Sequence, residues 1–228
     1  MTADRDDEII WLRREHANLG RPAERSRAQL TAAAVRIADV DGLDAVSMRR
    51  VAADLGTGAG SLYRYVAARD DLLDLMIDAV AEEYEFTPST GDAIADLLDI
   101  GRQMRQIMHA HPWLPAMVAT TPTLGPNGID LLEHVLGLLA DHPADVSTKL
   151  ETFAMLNALV SSFVQSEVNG NSGAQRRQAA YLAHVAAAGD HPRIAAAVAD
   201  APLEMTGADR FDALVGRALI GLLGDAGK

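Results

Sequence analysis

Residues 47–66 read SMRRVAADLGTGAGSLYRYV, and this stretch decides the fold. Ser47 is suited to cap a helix, because its hydroxyl can accept a free N–H of the first turn. Met48, Val51, Ala52 and Leu55 recur at the spacing that lays one apolar stripe along a short helix. Gly56 closes that helix, since glycine takes the left-handed conformation that ends helices. A second short helix turns Leu62 and Val66 inward and leaves Ser61, Arg64 and Tyr65 to project. Two short helices joined this tightly predict a helix-turn-helix, whose second helix enters the DNA major groove.

The flanking sequence extends that unit in both directions. Residues 27–42 carry Leu30, Ala34, Ile37 and Ala38 on one helical face and stop at Asp41-Gly42. Residues 69–84 carry Leu73, Met76, Ile77, Val80 and Tyr84 on one face. Five segments then stand in order and without gaps: LTAAA (30–34), GLDAVSMRRVA (42–52), Leu55-Gly56, GSLYRYV (60–66) and RDDLL (69–73). Through them the run from about residue 24 to residue 83 resembles the DNA-binding domain of the tetracycline-repressor family of transcription regulators.

The 228 residues suffice for one large or two modest domains. Half of the chain is apolar, aromatics make up 4%, and no alternating run rich in Val, Ile and Thr predicts a strand. The fold expected is therefore all-α: an N-terminal three-helix helix-turn-helix domain followed by a helical C-terminal domain. No apolar run reaches the roughly 18 residues of a membrane span. The first residues are acidic rather than basic-then-apolar, which speaks against a signal peptide. The chain has no cysteine, so thiolate and disulfide chemistry are excluded. A cytoplasmic protein without membrane contact is expected. The net charge of −12 argues against nucleic acid only when taken globally. Residues 1–20 sum to −2, residues 21–69 to +3 (8 basic against 5 acidic), and residues 70–228 to −13. The acidity lies away from the predicted DNA face, and phosphate attraction follows the local field.

The resemblance implies that Arg25, Ser47, Met48, Arg49, Thr57, Gly58, Ala59, Gly60, Ser61, Tyr63, Arg64, Tyr65 and Arg69 form the DNA face. Ser47 would add a phosphate contact to its cap, although the cap alone accounts for it. Arg49 and Arg50 begin a helix, where positive charge opposes the macrodipole at a cost of a few tenths of a kcal/mol each; phosphate pairing gives a reason for them. The family places a tyrosine like Tyr63 on the DNA backbone, with a core position the alternative. Arg64 and Tyr65 are the expected base-edge or phosphate readers, and Arg69 the expected phosphate clamp. Gly58-Ala59-Gly60 departs from the tetracycline repressor itself, which has base-reading side chains there. Each glycine costs a helix about 1 kcal/mol relative to alanine, so readout should rest on Thr57, Ser61, Arg64 and Tyr65. Gly56, Gly58 and Gly60 do not make a dinucleotide fingerprint, because a helix precedes them where a strand is needed. Ahead of the domain, residues 1–23 form an extension. Arg13, Arg14, Arg21 and Arg25 would reach phosphates or the minor groove if it acts as an arm; a poorly ordered terminus is the alternative.

TPSTG (87–91) is a linker. Beyond it, 92–228 reads as a helical ligand-binding and dimerisation domain, and 24–84 as the DNA-binding one. Helices are expected at about 92–110, 127–140, 146–168, 175–188, 191–199 and 209–223, with a short apolar segment at 113–119. The apolar stripe of 127–140 is Ile129, Leu132, Val135, Leu136 and Leu139; that of 209–223 is Phe211, Leu214, Val215, Ala218, Leu219 and Leu222. This half resembles the family's ligand-sensing, dimerising domain. In the family the helices matching 147–168 and 209–223 build a four-helix homodimer interface. Small residues here suit close approach: Ala154, Ala158, Ser161, Ser162, Ala213, Gly216 and Gly221.

In such regulators a small molecule enters the second domain and shifts the DNA heads through the helix matching 69–84. The lining expected is Met104, Met108, Trp113, Leu114, Met117, Phe153, Asn157 and Phe163. Methionines suit an adaptable apolar pocket, and the Asn157 amide in so apolar a helix needs a partner. His109 and His111 are two apart and do not share a helix face, and His134 beside Glu133 completes no ligand set, so no metal is expected. Nor does any nucleophile–base or paired-carboxylate constellation stand out, so neither an enzyme nor a cofactor is expected. The resemblance implies a homodimeric, effector-responsive regulator of double-stranded operator DNA, in this family most often a repressor. Half-sites would lie roughly 34–36 Å apart, or a multiple of that. The alternative is an α-helical small-molecule-binding protein or enzyme that kept the domain without specific DNA readout.

Overall fold

A computed structural model of the chain describes residues 9–13, 26–120, 124–169, 173–200 and 207–224. Among them every regular element is helical, as the composition predicts. The N-terminal head comprises α1 (Arg27–Asp41), α2 (Met48–Asp54), α3 (Ala59–Leu62) and α4 (Arg69–Ala81). The body comprises α5 (Ala93–Ala110), α6 (Leu114–Thr120), α7 (Pro126–Leu138), α8 (Val146–Asn169), α9 (Gly173–Ala188), α10 (Pro192–Ala199) and α11 (Gly207–Leu223).

Each head helix is delimited by its own side chains. Ser26 and Gln29 form a reciprocal capping box at the start of α1: the Gln29 N–H donates to Ser26 Oγ at 3.2 Å, and the Ser26 N–H donates to Gln29 Oε1 at 3.1 Å. Ser47 caps α2 by accepting the Arg50 N–H at 3.2 Å. At the other end of α2, Gly56 has φ +66. Its N–H donates to the Ala53 carbonyl while the Thr57 N–H donates to that of Ala52, at 3.1 and 2.9 Å. This pair of bonds is the Schellman arrangement, which requires a residue tolerant of positive φ. Asp71, buried in the first turn of α4, accepts the N–H groups of Ala67 and Ala68 at 2.6 and 3.2 Å. Leu30, Ala34, Val51, Leu62, Leu72 and Met76 close the core beneath these helices.

In the body, Asp92 caps α5 by accepting from the Ile94 and Ala95 N–H groups. α5, α8 and α11 pack against one another around Leu97, Met104, Leu156, Val160, Phe211 and Val215. α6 and α7 lean on α4, so this one helix belongs to the cores of head and body alike.

Several expectations shift. α4 ends at Ala81 rather than at Tyr84, and a hydrogen-bonded turn continues to Tyr84. Residues 114–120 are a full helix. On α7 the buried stripe runs through Leu131, Val135 and Leu138, with Leu139 just beyond; Ile129 is half exposed. On α11 Leu223 is buried and Leu222 exposed. α9 packs chiefly on α10, and nearly all of its described side chains face solvent.

Candidate functional site: a DNA-reading head and a cavity joined by one helix

The head presents α2 and α3 at the surface. Ser47, Arg49, Gly58, Gly60, Tyr63, Arg64 and Arg69 are exposed, and Thr57, Ala59 and Ser61 are partly so. Thr57 and Ser61 hydroxyls lie 2.9 Å apart, and Ser61 Oγ donates to the Gly58 carbonyl at 2.6 Å, which ties the turn to α3. Arg64 Nε donates to the Ser61 carbonyl, and its guanidinium sits 5.9 Å from the Tyr65 ring centre. Arg50 pairs with Asp41 at 3.0 Å and Arg36 with Asp54 at 2.8 Å. Arg49 makes no such bond among the described residues.

The structure places three residues of the expected DNA face elsewhere than free at the surface. Tyr65 is buried, 5% exposed, whereas Tyr63 is 55% exposed. The reason is spacing: Tyr65 follows Leu62 by three residues and so shares its inward face with Val66. Met48 is likewise buried at 8%, as the first member of the stripe with Val51 and Ala52. Arg69 is exposed, but its guanidinium is engaged within the head. Nε donates to the Val46 carbonyl and an Nη to that of Leu43, at 3.1 and 3.2 Å, which binds the start of α4 to the turn before α2.

Residues 9–13 of the N-terminal extension follow neither the arm nor the poorly ordered terminus. A short helical turn at Ile10–Leu12 buries Ile10 completely. Arg13 forms a two-pronged ion pair with Asp71, and Arg27 donates to the carbonyls of Ile10 and Arg13. Residues 9–13 are therefore a strap on the head, and Arg13 is spent inside the protein. Arg14, Arg21 and Arg25 lie outside the described residues.

In the body a cavity of about 380 Å³ opens between α4, α5, α6, α7 and α8, within the size range of about 300–1,000 Å³ typical of small-molecule sites. Of the eight lining residues expected, Met108, Leu114, Phe153 and Asn157 are there. Met104, Trp113, Met117 and Phe163 are not. Met104 and Met117 are core. Trp113 turns its indole N–H to Asp39 at 2.7 Å. Phe163 packs edge-on to Phe211 beneath the Arg105 guanidinium. Asn157 finds its partner in its own helix, donating to the Phe153 carbonyl at 3.1 Å.

Sequence reading missed the α4 wall of the cavity: Ile77, Asp78, Val80 and Ala81, with Tyr84 beyond it. Asp78 is 6% exposed; Oδ1 accepts the Gly128 N–H at 3.0 Å, and its carbonyl accepts from the Asn127 amide. Burial is the largest influence on it, and with the carboxylates of Asp130 and Glu82 it outweighs the backbone donors, so the Asp78 pKa is raised. Burial likewise pushes the Tyr84 hydroxyl up. An acidic residue inside an otherwise apolar helical stripe was the available signal.

A second link joins head and body. His111, between α5 and α6, holds Asp39 of α1 through Nδ1 at 2.7 Å and Glu83 through Nε2 at 3.0 Å. Burial pulls its pKa down, but the two carboxylates outweigh that, and the net shift is upward. Both ring nitrogens are thereby engaged, and no group of three or more metal-ligating side chains occurs among the described residues. No described helix is long and apolar enough to cross a membrane.

Comparison with known proteins agrees with this architecture. Residues 30–76 match the family described as bacterial regulatory proteins, tetR family, and residues 87–220 match the tetracyclin repressor-like C-terminal domain. The chain is 34% identical over 200 residues to the HTH-type transcriptional repressor DrrR1 of Streptomyces coeruleorubidus, covering 82% of this chain and 74% of that one. Its structure is similar to apo ActR of Streptomyces coelicolor, with a TM-score of 0.79 at 29% identity over 90% of this chain and all of that one. It is also similar to ActR in complex with actinorhodin, with a TM-score of 0.77 at 31% identity over the same shares. The chain belongs to the tetR family of bacterial transcription regulators.

Proposed function

We propose that this regulator is a homodimeric repressor that leaves a pseudo-palindromic operator when a small organic molecule enters the body cavity. The observation that carries the proposal is α4. Its first turn fastens the head through Asp71 and Arg69, while Ile77, Asp78, Val80 and Ala81 near its other end wall the cavity. A ligand favouring one position of that wall over another shifts the position of the reading helix, and differential affinity is all that such a shift requires.

On the DNA side the reading rests on the exposed set Arg49, Thr57, Gly58, Gly60, Ser61, Tyr63 and Arg64. Arg49 and Arg64 would supply phosphate or guanine contacts. α3 has a single turn, so its glycines would bring backbone, rather than long side chains, to the groove. For the dimer, α8 and α11 pack side by side and leave Met155, Val168, Ile220 and Leu222 exposed together with Ala154, Ala158, Ser162, Ala213 and Gly221. Two such pairs would bury these faces in a four-helix interface. That ActR was crystallised with actinorhodin and with (S)-DNPA supports a ligand of comparable size in the cavity here.

The test is fluorescence anisotropy of the full chain against DNA from its own upstream region, beside scrambled DNA, at two salt concentrations. Specific binding at two protomers per site that weakens with salt is expected. Equal affinity for both DNAs would refute the operator assignment, and absence of binding at either salt would leave only a helical ligand-binding protein.

A further inference from the structure

We infer that the cavity takes an apolar ligand through a hydrogen-bond donor, cationic or hydroxylic, seated on the Asp78 carboxylate, and that it rejects anionic ligands. This rests on the reading of the cavity as the effector site and adds the chemistry of the effector.

Three observations converge. First, among the described residues Asp78 is the only carboxylate in the lining, and no Lys, Arg or His side chain is there to neutralise an anion. Second, the carboxylate faces the cavity with acceptor capacity to spare. Oδ1 accepts the Gly128 N–H at 3.0 Å and the Asn127 N–H also favours the charged form, while the carboxylate lines the cavity in a residue only 6% exposed. A carboxylate offers about four acceptor sites, so a donor entering from the cavity adds a charge-assisted hydrogen bond to it. Third, the neighbouring polar groups complement a donor-bearing ligand. The Tyr84 hydroxyl lacks a partner among the described residues, and Asn157 uses only its amide N–H within its helix. The remaining wall is Leu, Val, Ile, Phe, Met, Ala and Gly, suited to a flat or bulky apolar body.

An ammonium or hydroxyl group adds a donor to the carboxylate and offsets the penalty that burial places on its charged form. A carboxylate ligand would place like charge beside it with no cation to compensate. Because Asp78 stands on α4 and holds Gly128 of α7, a donor that engages it acts at the helix that carries the head.

The test uses three matched fluorescent probes on the full chain at neutral pH: anthracene-methylammonium, anthracene-methanol and anthracene-carboxylate. The ammonium probe should bind about tenfold or more tighter than the carboxylate, the size expected of one charge-assisted hydrogen bond, with the methanol between them. Asp78→Asn, whose amide oxygen can still accept the Gly128 N–H, should abolish the ammonium preference and retain the methanol probe. If that variant fails to fold, the ranking by the unaltered protein decides. Leu132→Trp, which fills the cavity, should remove all three. Equal binding of the three probes that Leu132→Trp abolishes would overturn the donor assignment and leave the cavity as the ligand site. Binding that survives Leu132→Trp, or no binding of any probe, would overturn both.

Discussion

His111 Nδ1 lies 2.7 Å from Asp39 Oδ1, and the same carboxylate oxygen accepts the Trp113 indole N–H at 2.7 Å. One acid on α1 thus anchors the α5–α6 corner of the body to the head, and Glu83 holds the other side of the ring. Its folded pKa is raised above the unfolded one, so protonated His111 contributes stability. That contribution is complete below the unfolded value of about 6.5 and is lost as pH rises through the higher folded value. His111→Gln should lower stability by about 1–3 kcal/mol in mildly acidic buffer and flatten the pH dependence of Tm. Thermal melts from mildly acidic to mildly alkaline pH check this; a slope unchanged by the substitution would refute it.

Tyr63 and Tyr65 should separate cleanly. Tyr65→Ala removes a buried ring and should cost about 3–5 kcal/mol, visible as a lowered denaturation midpoint. Tyr63→Ala, at an exposed site, should change stability by no more than about 0.5 kcal/mol while weakening operator binding. If Tyr63→Ala bound DNA as the unaltered protein does, that residue would leave the DNA face.

Arg49 and Arg69 carry equal charge in different roles. Arg49→Ala, which removes one phosphate contact in each half-site, should reduce the slope of log affinity against log salt by about 2 and leave Tm unchanged. Arg69→Ala removes two hydrogen bonds to the 43–46 turn and should cost about 1–2 kcal/mol of stability. Paired salt titrations and melts distinguish the two; a stable Arg69→Ala protein with a reduced salt slope would restore it as a phosphate clamp.

Gly125 stands where any side chain would collide. A Cβ there would meet the Asp78 carboxylate and, at 2.5 Å, the Trp11 indole. Gly125→Ala should destabilise by about 1–3 kcal/mol and alter tryptophan emission as the strap shifts. Unchanged emission and stability would show that Trp11 does not pack there.

Much of the head was legible because its signals are local. Ser47, Gly56 and the Val51–Ala52–Leu62 stripe act through hydrogen bonds and periodicities spanning a few residues, and each does in the structure what its spacing predicts. Tyr65 was also within reach, since its three-residue offset from Leu62 encodes burial; reading only Leu62 and Val66 as inward left it to project. The cavity was half legible. Met108, Leu114, Phe153 and Asn157 lie on helices whose apolar faces are evident, but an apolar face has the same pattern whether it meets another helix or an empty volume. Met104 and Phe163 differ from them only in what lies opposite.

Most of the helices, the Ser47, Gly56 and Asp92 caps, the order of head before body and the family were readable from sequence, because these follow from contacts between near neighbours and from motif order. Only the tertiary structure decided that Asp78 faces a cavity, that Arg13 and Arg69 are engaged inside the protein, and that His111 bridges Asp39 and Glu83. Arg13 and Asp71 are 58 positions apart, and His111 and Asp39 are 72 apart. No periodicity spans such separations; packing of whole helices brings those groups within hydrogen-bond reach.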